Sequence, residues 1–179
     1  MSNTIENLKS AFAGESQANR KYLAFAKKAD EEGFPQIAKL FRAVAEAETI
    51  HAHNHLRALG EVKTTTDNLQ AAMGGENYEV SSMYPPMLAE ADKDGNKQAA
   101  RSFKYALEVE KVHAILYSHA LDKLGKDSST VDYYICPVCG YTVLDLQVLD
   151  TLFSFDPETA EPVRQAPVFR LSLTPVTSG

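Results

Sequence analysis

Glu48-Thr49-Ile50-His51 and, sixty-two residues further on, Glu110-Lys111-Val112-His113 place the same two side chains at the same spacing. A glutamate and a histidine three apart are neighbours on one helix face. Desolvating a carboxylate is unfavourable unless it is paired or metal-bound. Ala43, Val44, Ala45, Ala47 and Ile50 surround Glu48, while Ala106, Leu107, Val109 and Val112 surround Glu110. A single Glu-x-x-His is most simply a solvated helix face. Two copies in register, with a glutamate from each of two further helices, form the ligand set of a carboxylate-bridged di-metal site in a four-helix bundle.

The chain supplies four long helical patterns. Residues 3–32 carry Ile5, Leu8, Phe12, Glu15, Tyr22 and Phe25 at near-helical spacing, with Asn3 and Glu6 at capping-box distance and Gly33 as the stop. Pro35 suits the first turn of a second helix over 34–59, which Gly60 ends. After a polar connector, Glu61 to Thr65, a third helix runs from Thr66 to about Asp94, with Pro85-Pro86 predicted to kink or break its ladder. A fourth covers about Asn96 to Leu124 and stops at Gly125.

Adding sixty-two carries Gly33 to Gly95, Phe41 to Phe103, Glu48 to Glu110, His51 to His113 and Tyr22 to Tyr84. Such a repeat is the trace of paired helices in a pseudo-symmetric bundle. The register slips at its front, where Glu15 falls on Asn77 between Glu76 and Glu79, so an extra residue or bulge is expected before Tyr84. Glu15 and Glu79 are the expected additional glutamates. At about 1.5 Å per residue, Glu48 lies roughly 18 Å before Gly60, Glu79 roughly 20 Å after Thr66, Glu15 about 27 Å before Gly33 and Glu110 about 22 Å after Gly95, so all four can meet near a bundle's middle. Carboxylates with few imidazoles favour iron or manganese over closed tetrahedral zinc. His53, His55 and His119 are expected on the surface.

Composition limits the partners. The chain has 179 residues, 44% hydrophobic, with a net charge of -6, which disfavours nucleic acid and anionic membrane surfaces. No apolar run is long enough for a bilayer and the start is no signal peptide, so the expected compartment is the cytoplasm. The two cysteines share one Cys136-Pro137-Val138-Cys139 knuckle, half of a tetrathiolate metal site or a dithiol. The expected organisation is a four-helix bundle over 1–127, a partial knuckle over 128–143 and a tail over 144–179. Within the tail, Val168 to Leu173 alternates like a strand.

Phe12-Ala13-Gly14-Glu15-Ser16-Gln17-Ala18, Glu48-x-x-His51, Glu76-Asn77-Tyr78-Glu79 leading to Met83-Tyr84-Pro85, Glu110-x-x-His113 and Tyr133 to Tyr141 together resemble the rubrerythrin family over residues 1–143. The resemblance implies an all-α, ferritin-like bundle followed by a small β segment. It implies a cytoplasmic non-haem di-iron peroxidase that reduces hydrogen peroxide to water in oxidative-stress defence. Glu48 and Glu110 would bridge two iron ions, Glu15 and Glu79 would be terminal carboxylates, and His51 and His113 terminal imidazoles. Tyr22 and Tyr84 would stand behind these ligands. The family often has one more glutamate three residues after its third-helix ligand, and from Glu79 that position is Ser82, which would leave His51 a fixed ligand. The family also closes its rubredoxin-like module with a second Cys-Pro-x-Cys-Gly. Residues 144–179 contain none, so the resemblance does not extend to the mononuclear iron at Cys136 and Cys139, and electrons would come from an external rubredoxin or reductase. A ferritin-like iron-binding ferroxidase and a structural metal-binding dimer with little turnover are the alternatives.

A ferritin-like bundle also runs its second and third helices parallel. Their connection must then travel roughly 38 Å by helix rise, while Gly60 to Thr65 spans at most about 22 Å. A domain-swapped homodimer is therefore expected, against a plain up-down-up-down monomer or a third helix that starts later.

Overall fold

The computed structural model describes residues 3–144 and the short segments 154–155, 162–163 and 174–175. Its helices are α1 (Asn3–Glu31), α2 (Pro35–Ala58), α3 (Thr65–Tyr78), α4 (Tyr84–Lys93) and α5 (Lys97–Lys123), with a π-helical segment, Glu79–Met83, joining α3 to α4. The chain divides into two compact units at Thr64, the α1–α2 hairpin and everything that follows. The expected strand at Val168–Leu173 lies outside the described residues.

Each hairpin turns through the same backbone chemistry. Gly33 and Gly95 have φ of 80° and 67°, a left-handed conformation that costs glycine little. At the first turn Gly33 N–H donates to the Asp30 carbonyl (3.0 Å) and Phe34 N–H to Ala29 (2.8 Å); at the second Gly95 donates to Asp92 (3.1 Å) and Asn96 to Ala91 (2.9 Å). Both are Schellman closures, which satisfy the last carbonyls of the preceding helix. Asn96 adds a side-chain cap, accepting from Ala99 N–H, whereas Phe34 cannot cap and Pro35 opens α2 with a pre-set φ. The repeat extends to packing: Tyr22 and Phe41 have ring centroids 6.2 Å apart, and their counterparts Tyr84 and Phe103 are 6.4 Å apart.

The expected slip in the repeat is the π-helical segment. Tyr84 N–H bonds the Glu79 carbonyl, five residues back, so the helix absorbs one extra residue there. It also resolves the proline problem. Pro85 and Pro86 lack the N–H groups that an uninterrupted α-helix needs, but at the second and third positions of α4, within its first turn, the loss is tolerated. The third helix therefore runs from Thr65 to Lys93 in three parts rather than breaking.

In the first hairpin, Ala38, Ala45 and Ala52 recur every seven residues and are buried, as are Ala26 and Ala29 of α1. Small side chains on one stripe let the two backbones approach closely. One polar group enters this seam. Asn19 is 6% exposed, and its amide donates to the Ala45 carbonyl (2.7 Å) and to Thr49 Oγ1 (2.8 Å). It ties α1 to α2 one turn beyond Glu15 and beside Glu48. In the second unit β1 (Tyr133–Ile135) pairs antiparallel with β2 (Thr142–Leu144), and β1 also pairs with a strand at Thr174–Pro175. A second small ladder joins Ser154–Phe155 to Pro162–Val163. No helix among the described residues is long and apolar enough to cross a membrane.

Replacing Asn19 with Ala leaves the Ala45–Thr49 turn without its cross-helix donor. A loss of about 1–3 kcal/mol in unfolding free energy is expected from chemical denaturation, with no loss of helix content in the folded state.

Candidate metal centre

Among the described residues, two clusters of metal-ligating side chains form, one in each unit. Glu15 of α1 meets Glu48 and His51 of α2, and Glu76 of α3 meets Glu110 and His113 of α5; in each cluster one ligand atom per residue lies within 4.8 Å of the others. Helix geometry explains the pairs. His51 Nδ1 is 2.9 Å from Glu48 Oε2, and His113 Nδ1 is 2.6 Å from Glu110 Oε2, both across three residues. Glu76 Oε2 stands 4.0 Å from His113 Nδ1.

Of the residues expected from the sequence, Glu15, Glu48, His51, Glu110 and His113 occupy these clusters. Glu79 does not; Glu76 takes the third-helix place. The reason is the extra residue in the π-helical segment. Counting back from Tyr84 across that segment, the repeat partner of Glu15 is Glu76, and the signal was present in the sequence as Gly14-Glu15 against Gly75-Glu76. With Glu76 as reference, the glutamate three residues further on is Glu79 itself.

Glu79 still belongs to the surroundings. Burial and the Glu110 carboxylate raise its proton affinity, and His113 lowers it. Glu76 is pushed up to about 7 by burial, by a hydrogen bond with Glu110, and by the charges of Glu110 and Glu79. Carboxylates this close repel unless a proton or a cation sits between them. Tyr84, and Tyr117 of α5, keep their protons more tightly than usual because burial and the charges of these same glutamates disfavour the phenolate. Sequence reading missed Tyr117; its place seven residues after Glu110, on the same helix face, was the available clue. Tyr22 packs in an aromatic group with Phe25 and Phe41. His53 and His119 are exposed and His55 half-buried, and none joins a cluster.

The cysteine knuckle is well formed. Cys136 N–H donates to the Tyr141 carbonyl (2.8 Å) and Gly140 N–H to the Cys136 carbonyl (2.9 Å), with Gly140 at a φ of 84°. Both thiols are free. Burial, aided by the Cys136 thiol and opposed by backbone N–H groups, holds Cys139 above the usual thiol range. Among the described residues, no cluster of three metal-ligating groups includes either cysteine.

Helix pairs carrying duplicated Glu, Glu and His clusters define a carboxylate-bridged di-metal protein. Residues 6–121 match the rubrerythrin family profile. Rubrerythrin-2 of Clostridium acetobutylicum is 43% identical over 158 residues, which cover 79% of this chain and 86% of that protein. Nigerythrin of Nitratidesulfovibrio vulgaris is 38% identical over 152 residues, 77% of this chain and 75% of that one. A fully reduced, all-ferrous nigerythrin structure superposes with a TM-score of 0.52 at 33% identity, covering 98% of this chain and 88% of that chain. The chain belongs to the rubrerythrin family, a family of di-iron oxidoreductases with the all-α, ferritin-like fold expected from the sequence.

The donor set fits such ions, being hard carboxylate oxygens with one imidazole nitrogen per cluster. Removing a cluster carboxylate should cost affinity in proportion to its place. Glu76→Ala is expected to weaken ferrous binding by at least about tenfold, and by more than Glu79→Ala, in anaerobic titrations. The reverse order would return the third-helix role to Glu79.

Proposed function

We propose that this protein is a non-haem di-iron peroxidase that reduces hydrogen peroxide to water in oxidative-stress defence. The observation that carries the reading is the paired clusters, each with two glutamates and one histidine within bonding reach of a shared cation. Glu48 and Glu110 are the proposed bridges, Glu15 and Glu76 the terminal carboxylates, and His51 and His113 the imidazole ligands. These residues would hold two ferrous ions, which would supply the electrons for reducing peroxide.

The protein's own part is positioning and proton supply. Reduction of one peroxide takes two electrons and two protons and yields two waters. Tyr84 and Tyr117 hold their hydroxyl protons beside the carboxylates, so each offers a hydrogen bond to a peroxide oxygen or a ligand oxygen. Glu79, on the π-helical segment, adds a carboxylate charge beside Glu110, and His51 is the proposed imidazole ligand on α2. Tyr22 is the matching hydroxyl on the α1 side. An external rubredoxin or flavin reductase returns the electrons, and the expected compartment is the cytoplasm.

We further propose that 1–127 forms one four-helix domain completed by exchange between two chains. Ala58 to Thr65 can reach at most about 25 Å. Running α3 parallel to α2 requires a return along 24 residues, about 36 Å. A late start for the third helix does not relieve this, since α3 begins at Thr65. Leu23, Phe25, Ile37, Leu40 and Ile50 are 40%, 46%, 46%, 56% and 55% exposed, large apolar surface of the kind that an assembled bundle covers.

Two measurements test these readings. Stopped-flow mixing of the reduced protein should show reoxidation by peroxide at least about tenfold faster than by O2; the opposite order favours a ferroxidase, and an absent redox spectrum favours a structural metal protein. Light scattering coupled to size exclusion should give a dimer, and a monomer that retains full metal binding would exclude the exchange.

A further inference from the structure

The β1–β2 hairpin that carries the cysteine knuckle does more than hold its own turn. Cys136 and Tyr141 form a buried cluster with Val109 of α5, and Val112 packs against it with Cys139 and Val143. Val109 and Val112 lie four residues and one residue before His113. This packing delivers Thr142, the first residue of β2, to the outer edge of the His113 ring. His113 Nε2 is 3.1 Å from Thr142 Oγ1, and Thr142 Oγ1 is 3.0 Å from the Gly140 carbonyl.

The direction of these bonds follows from proton counting. A threonine hydroxyl has one proton and two lone pairs. The Gly140 carbonyl can only accept, so the hydroxyl proton goes to it. Thr142 Oγ1 must then accept from His113, which places the imidazole proton on Nε2. The alternative, with Thr142 donating to Nε2, sets two oxygen lone pairs against each other at 3.0 Å and takes the hydroxyl donor from a half-buried turn carbonyl. In a neutral imidazole with Nε2 protonated, Nδ1 carries the free lone pair. Nδ1 is the nitrogen that faces Glu110 at 2.6 Å and Glu76 at 4.0 Å; a contact of 2.6 Å needs a proton between Nδ1 and the Glu110 oxygen in the metal-free protein, and a bound cation would take that proton's place.

We infer that Thr142 is a positioning residue for the metal centre. Through its bond to the Gly140 carbonyl it fixes His113 in the Nε2–H tautomer and aims Nδ1 at the cluster. The hairpin thus serves the helical site through a side chain that is neither cysteine nor ligand, whether or not the thiols hold an ion. The role rests on His113 being a ligand. It is also specific to one half of the repeat. His51 has its Nδ1 against Glu48, but its side chain is 54% exposed where that of His113 is 26% exposed, and no described group in its own hairpin pairs with its Nε2.

Three variants and one spectrum test this. In zinc(II)-loaded wild-type protein, long-range proton–nitrogen NMR should place the His113 proton on Nε2; a proton on Nδ1 overturns the inference without any variant. Thr142→Val keeps the shape and removes the hydroxyl. It should weaken cobalt(II) binding at the Glu76–Glu110–His113 cluster by about 10–100-fold, the usual effect of losing a ligand's hydrogen-bond partner. Thr142→Ser should restore binding to within about threefold of wild type, which a purely structural role for the methyl group would not do. If Thr142→Ser is as weak as Thr142→Val, or if both bind like wild type, the positioning role is wrong. His113→Ala separates the two layers: unchanged cobalt(II) affinity there refutes His113 as a ligand, whereas weakened affinity beside a normal Thr142→Val refutes only the role of Thr142.

Discussion

The constraint on which the rest depends is the crowding of negative oxygen at the ends of Glu76 and Glu110. Their carboxyl groups share a hydrogen bond, with Glu79 adding charge from one turn away, and Glu76 gives up its proton only near pH 7 as a result. Buried carboxylates in contact are unfavourable in the folded state unless something positive lies between them. A proton satisfies the metal-free protein. A divalent cation satisfies it better, because two charges replace one and each carboxylate regains an ionic partner. The helices are shaped to keep this demand in place: a π-helical segment sets the register of Glu76, a Schellman turn sets where α5 begins, and an alanine seam in the other hairpin does the same for Glu15 and Glu48.

How much of this was legible in the sequence differs from residue to residue. Glu48–His51 and Glu110–His113 were readable because helix spacing is rigid and the motif occurs twice. The four glycine stops were readable because a left-handed C-terminal residue is nearly a glycine monopoly. Glu76 was harder. The choice between Glu76 and Glu79 turned on one inserted residue whose position the repeat located only approximately. Both glutamates lie near the helix middle, so a length estimate could not separate them. The backbone bond from Tyr84 to Glu79 marks where that residue is inserted, and no side-chain pattern announces a π-helical bond. Thr142 was illegible for a different reason: its bond to His113 spans twenty-nine residues and depends on how a hairpin lies on a helix.

The π-helical segment also shows how two local costs can be satisfied together. A Pro85-Pro86 pair inside a helix removes two donors, and an extra residue in a repeat misplaces everything before it. Placing the insertion immediately ahead of the prolines makes them the opening residues of α4, where their N–H groups are not needed. The widened turn then carries Glu79 away from the position that Glu76 occupies, yet leaves it close enough to feel Glu110 and His113. One irregularity thus yields two carboxylates in two different relations to the same cluster.

The two halves of the repeat are alike in backbone and unlike in support. Their turns, aromatic pairs and Glu-x-x-His spacing match, which is what duplication preserves. The histidines diverge because the β1–β2 hairpin packs along α5 and reaches the His113 ring. An imidazole held at both ring nitrogens has one orientation, whereas one held at a single nitrogen and half-exposed can rotate at little cost. The cluster on α5 therefore presents a more rigid imidazole than the cluster on α2. Asymmetry of that kind arises from what is packed behind the ligands, and it exists even where the ligand motifs are the same.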